Sequence, residues 1–161
     1  MTRLTFLSPA NAAEDSIVSP LRHALGTGVD DVSHLGKLEL RGPLERVKPA
    51  AGEELIQLRP GVGLLVIDGS PAAALRRLEG SGVRAYDMTA ALAAFEFEGD
   101  DALRRLTELD PATFPTAGAI ARGTWAIFAA RDGGRYRVFV AQELGHYVVA
   151  VVLDVLEGLG R

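Results

Sequence analysis

The chain has 161 residues, 48% of them hydrophobic and 24% charged, with a net charge of −4. That suits one globular domain, or two small intimate halves, with enough apolar residues for a core. With no cysteine, disulfides, thiolate catalysis and iron–sulfur ligation are excluded, and no basic stripe offers a surface for nucleic acid.

The N-terminal MTRLTFLSPANAAEDS lacks the apolar run of a signal peptide, and YVVAVVL at 147–153 is far shorter than a membrane-spanning helix. No membrane association is expected, and the cytoplasm is the expected compartment. Residues 1–18 read as an N-terminal arm and 19–161 as a single domain. Ser19-Pro20-Leu21-Arg22-His23 predicts a short helix or turn, with Ser19 as N-cap and proline at the first helical position.

The segment DVSHLGKLELRG at 31–42 is a polar turn running into an alternating strand, Lys37–Arg41, that stops at Gly42. Glu54–Leu58 predicts a second strand and Gly63–Ile67 a third, more buried one. Ser70-Pro71 then opens a helix over 72–79 with Leu75 and Leu78 inward. In the second half, YDMTAALAAFEFEG at 86–99 repeats the opening design, with a strand at Ala94–Glu98 ending at Gly99. A helix over 102–109 follows, with Asp100 as its cap. Three strands come next, Ala117–Arg122, Thr124–Arg131 and Tyr136–Ala141, the last two joined by the hairpin signal Asp132-Gly133-Gly134. A final helix over 142–157 carries Leu144, Val148, Val151, Val152 and Val155 as its apolar stripe. Short turns between strands imply mostly antiparallel or mixed sheets with helices on one face, an α+β fold. The units 63–79 and 136–157 look like counterparts, which divides the domain into intertwined halves at about 19–85 and 86–158.

No chemical motif stands out. His23, His34 and His146 have no ligand spacing, so no metal site is expected. Ser33-His34 are neighbours on extended backbone and point to opposite faces. No glycine-rich phosphate loop follows a strand and opens a helix. The acid pairs Asp30-Asp31, Glu53-Glu54 and Asp100-Asp101 are adjacent in sequence, whereas an acid–base pair faces across a cleft. Trp125 reads as core or interface packing, with ring stacking as the sharper alternative, and the Arg76-Arg77 and Arg104-Arg105 pairs as wet helix faces. No catalytic, cofactor-binding or metal residue is assigned.

Two sets of residues carry a family likeness. DVSHLGKLELRGP at 31–43 resembles the strand-opening segment of the glycine cleavage aminomethyltransferases. More of the chain, about 19–157, is similar to the gamma subunit of heterotetrameric sarcosine oxidase. The matching features are Ser19-Pro20-Leu21, Leu40-Arg41-Gly42, Asp87-Met88-Thr89, the strand 95–99 with its helix, Leu109-Asp110-Pro111, Phe114-Pro115 and the closing strand and helix. The resemblance implies the folate-binding fold of the aminomethyltransferase superfamily, two related subdomains that exchange strands. It implies a non-catalytic subunit of a flavoenzyme that demethylates sarcosine oxidatively, with flavin and NAD held by partner subunits and folate as one-carbon acceptor. No catalytic aspartate is carried over. A stand-alone folate-binding or one-carbon-transfer protein is the alternative. It would hold tetrahydrofolate with Asp31, Asp87 or Glu98 on the pterin nitrogens and Trp125 as a stacking wall. An unrelated α+β interaction domain is the third reading, and in isolation the chain is a possible homo-oligomer.

Overall fold

The structure, a computed structural model, describes residues 19–21 and 26–160. The N-terminal arm lies outside the described residues, as do Arg22 and His23 of the helix or turn expected at Ser19–His23. Two antiparallel sheets form the centre. The first has five strands in the order β1(Val29–Asp31), β6(Leu92–Glu98), β9(Arg135–Ala141), β8(Thr124–Arg131), β7(Thr116–Ile120). The second has four, in the order β3(Glu53–Arg59), β4(Val62–Ile67), β2(Gly36–Arg41), β5(Arg84–Asp87). The described α-helices are α1(Ala72–Leu78), α2(Asp100–Leu106) and α3(Gly145–Gly158). The α+β class therefore holds, and every strand pairing is antiparallel.

Strand alternation sorts the side chains into layers. In β6, Ala93, Phe95 and Phe97 meet Val148, Val149 and Val152 of α3 and Leu103 of α2 in one core. Ala94, between them, faces the other sheet together with Ile56, Leu64, Val66, Ala129 and Phe139. In the four-stranded sheet, Leu38, Leu40, Leu65 and Ile67 pack against Ala74 and Leu78 of α1. The order is helix, sheet, sheet, helix. Helices were expected on one face of the sheets; here each sheet carries helices on its outer face and the other sheet on its inner face.

The order of connection runs twice. Each time a short strand is followed by a longer one, a hairpin and a helix: β1, β2, β3–β4 and α1, then β5, β6, β8–β9 and α3, with α2 and β7 inserted in the second pass. In each pass the short strand belongs to the opposite sheet. β1 pairs with β6 and β5 with β2, so each pass lends one strand to the other sheet. Each long strand ends at a glycine with positive φ, +130° at Gly42 and +112° at Gly99. A Cβ on Gly42 would also stand 2.9 Å from the Gly82 carbonyl oxygen.

Several boundaries differ from expectation, each for a local reason. The strand expected through Arg122 stops at Ile120, because Ala121 and Arg122 form the turn into β8 with φ of +46° and +67°. The helix expected over 102–109 begins at Asp100 and ends at Leu106. Thr107 takes extended backbone, with its hydroxyl donating to the Ala119 carbonyl at 2.7 Å. Residues 142–144 form one 3₁₀ turn before α3, which leaves Leu144 exposed and substitutes Val149 and Leu156 in the buried stripe. Val151 and Val155 are half-buried beside it. Strands β1 and β5 were not foreseen, because three or four residues rich in charge carry no periodic signal.

Candidate functional site

The two sheets meet where the chain crosses between them, and the crossings are built alike. Asp31 accepts a hydrogen bond from the Ser33 amide at 2.9 Å, and Asp87 accepts one from the Thr89 amide at 2.9 Å. These turns suit aspartate because its short side chain reaches the backbone two residues on. The Val32 amide then donates to the Ala94 carbonyl and the Met88 amide to the Lys37 carbonyl, at 3.0 and 2.8 Å. The hydroxyls of Ser33 and Thr89 complete the pattern, accepting from the amides of Ala94 and Lys37, each at 3.0 Å. Lys37 and Ala94 thus occupy corresponding places, and only one carries a charge.

Lys37 is wholly buried. Its ammonium donates to the carbonyls of Ser33 at 2.8 Å and Leu35 at 2.7 Å, which fastens the turn that precedes its own strand. Desolvation brings its pKa down to about 8, against the opposing pull of Asp31 and Asp87. Lys37 stands at a polar position of an alternating strand, and the five-stranded sheet covers that face.

The space between the sheets opens at both ends of its apolar middle. One end is ionic. Arg137 of β9 holds Glu96 at 2.7 Å and Glu54 of the other sheet at 3.1 Å, and Arg131 of β8 holds Glu54 at 2.5 Å. Arg135 adds Glu96 at 3.1 Å and Asp30. The bond to Asp30 is the largest influence raising the Arg135 pKa. Beside these groups is a cleft of about 470 Å³ that His34 also lines. The adjacent Glu53 turns instead to Arg77 of α1, at 2.5 Å. Desolvation alone would raise its pKa, but the Arg77 bond, the Ala50 amide and the Arg77 charge together hold it below the ordinary value. The pairs Asp30-Asp31 and Glu53-Glu54 are therefore divided among different partners. In the third pair, Asp100 accepts a 2.6 Å bond from the Tyr136 hydroxyl, whose pKa desolvation and that bond raise to about 12.

The other end is apolar and rimmed by aromatic rings. Trp125 stands 67% exposed on β8, and with Leu58, Met88, Leu92 and Ile127 it borders a cleft of about 490 Å³. Core packing for Trp125 is therefore corrected. Its neighbours Ala126 and Phe128 face the helices, while Trp125 points the opposite way, at the end of the sheet where the second sheet leaves it open. Of the three acids expected beside it, Asp31 and Asp87 are spent on the crossing turns, and neither they nor Glu98 line this cleft. Glu39 does, ion-paired to Arg41 at 2.5 Å, and the Arg41 guanidinium lies over the exposed Tyr86 ring. Sequence reasoning assigned Glu39 no role, yet its spacing from Lys37 already placed both on one face. His34, in the turn between β1 and β2, and His146, on α3, are both exposed. Among the described residues no group of three or more His, Asp or Glu side chains gathers as a metal site.

No known family profile matches the chain, and no curated protein matches it. Among solved structures, the fold is similar to a chain of heterotetrameric sarcosine oxidase from Corynebacterium sp. U-96, in a complex with pyrrole 2-carboxylate. The TM-score is 0.69 and the sequences are 15% identical, over 89% of this chain and 96% of that one. The likeness is one of fold and extends over nearly the whole of both chains.

Proposed function

We propose that this chain is a non-catalytic subunit of a heteromeric, sarcosine oxidase-like flavoenzyme, in the place the gamma subunit holds in that family. Partner subunits would hold flavin and NAD, and folate would accept the one-carbon unit. The observation that carries the reading is the shared fold: one alignment takes up 89% of this chain and 96% of a chain in a heterotetrameric sarcosine oxidase, so the two are also of similar length. The exposed aromatic rings of Trp125 and Tyr86 support it, because rings of this kind anchor interfaces between subunits. The reading includes one domain over 19–161 whose halves, about 19–85 and 86–158, derive from a single strand-and-helix unit, and a cytoplasmic location.

Affinity purification of the full chain from its source cells tests it. The expected product is a complex with larger subunits that shows flavin absorbance and releases formaldehyde from sarcosine. A chain recovered alone, or with proteins devoid of flavin, overturns the proposal.

A second reading is a stand-alone folate-binding protein related to the aminomethyltransferases. The cleft bordered by Trp125 and Glu39, at about 490 Å³, is of a size that takes a small ligand. Trp125 is the sole tryptophan, so its fluorescence reports directly on that cleft. Quenching that saturates with tetrahydrofolate supports the second reading, and no change at millimolar ligand eliminates it.

A further inference from the structure

On the outer side of the five-stranded sheet, the end of α2 and the turn between β7 and β8 enclose a cleft of about 790 Å³. Arg104, Arg105 and Arg122 line it, together with one carboxylate, Glu108. Elsewhere Arg41, Arg77, Arg131, Arg135 and Arg137 each hold a carboxylate, while among the described residues Arg46, Arg59, Arg76 and Arg84 do not. Among the described residues none of the three cleft arginines has a carboxylate within ion-pair distance. The favourable field at a helix C-terminus accounts for Arg104 and Arg105 in the last turn of α2. It does not account for Arg122, which comes from another element.

Arg122 is placed there at a cost. It and Ala121 are consecutive non-glycine residues with φ of +67° and +46°, a conformation in which side chains crowd their own backbone. The turn is also fixed to the helix: the Ala121 amide donates to the Leu106 carbonyl at 3.1 Å, and the Thr107 hydroxyl donates to Ala119 on β7 at 2.7 Å. Helix-end carbonyls would repel an anion, but those of Leu103 and Leu106 already accept the amides of Thr107 and Ala121. Strain of this kind persists where the surroundings over-determine it and tends to gather at functional positions.

We infer that this cleft is a binding site for a small polyanion, a molecule with two or more carboxylate or phosphoryl groups held by the guanidinium forks of Arg104, Arg105 and Arg122. The planar forks match both oxyanions, and the volume suits a small molecule. This inference is independent of any assembly with flavin subunits, since the isolated chain carries the whole site.

Calorimetric titration of the full chain with citrate and with inorganic pyrophosphate, in low-salt buffer, tests it. Saturable binding of either is expected, and the preferred probe tells a carboxylate ligand from a phosphoryl one. R122G removes one guanidinium and relieves the turn. It should weaken binding roughly tenfold, the loss of one charge-assisted hydrogen bond, while raising Tm. The exposed-helix control R76S should bind as the parent does. No saturable heat at millimolar probe overturns the inference. So does R122G binding as tightly as the parent.

Discussion

Lys37 shows how one residue can be both the least expected and the most constrained. Its charge is buried, and two carbonyls occupy it. Unfolded, a lysine titrates near about 10.4; folded, Lys37 titrates at about 8. Below the lower value both states are protonated and the penalty for burying the charge is at its full size. Between the two the unfolded chain binds more protons, so stability rises as pH rises through that window. Denaturant titrations of the parent and K37M should therefore differ by an increment that grows from about pH 8 to about pH 10 in favour of the parent. A difference independent of pH would show that Lys37 titrates as an ordinary exposed lysine. K37A should cost about 2–4 kcal/mol at neutral pH, because it leaves a void and two buried carbonyls without donors.

At the scale of elements, the crossings and the ionic end hold the sheets together. Ser33 is buried, and its hydroxyl both accepts from the Ala94 amide and donates to the Ala94 carbonyl. S33A should lower stability by about 1–3 kcal/mol. T89A removes the corresponding acceptor from Lys37 at a half-buried position and should cost less. Equal, negligible losses at both positions would mean that the crossings contribute nothing to sheet pairing. Glu96 and Arg137 are nearly enclosed, with side chains 12% and 11% exposed, so E96Q should cost about 2–4 kcal/mol by leaving the enclosed Arg137 guanidinium half-paired. The loss should change little with salt; a loss that vanishes in high salt would place the pair at the surface.

The sequence made the longer elements legible. Alternation marked β2, β3, β6, β8 and β9, and Asp132-Gly133-Gly134 marked the hairpin that joins the last two. What alternation does not reveal is whether the polar face of a strand meets water or another sheet. Lys37, Glu54, Glu96, Arg131 and Arg137 hold polar positions of their strands, and all face the neighbouring layer. Trp125 failed in the opposite sense, since its apolar ring sits where the covering sheet has ended. The arginine cleft was unreadable because Arg122 meets α2 only through a turn with positive φ, which an Ala-Arg pair does not announce.

Across the whole molecule, the doubled order of strands and helix gives a scaffold whose two sheets are tied at one end by ion pairs. Its exposed rings face outward at one end. In an assembly of the proposed kind, W125S should leave Tm within about 1 °C of the parent, as surface changes usually do, yet reduce the amount of flavin-bearing partner recovered. An unchanged yield would place the interface elsewhere on the surface. The most direct measurement is size-exclusion chromatography of the tagged full chain, purified from its source cells, with protein and flavin absorbance followed together. The account predicts a single heteromeric peak in which the chain and flavin co-elute at fixed ratio. A monodisperse monomer without flavin, which binds none of the flavin-bearing proteins of those cells, would contradict it.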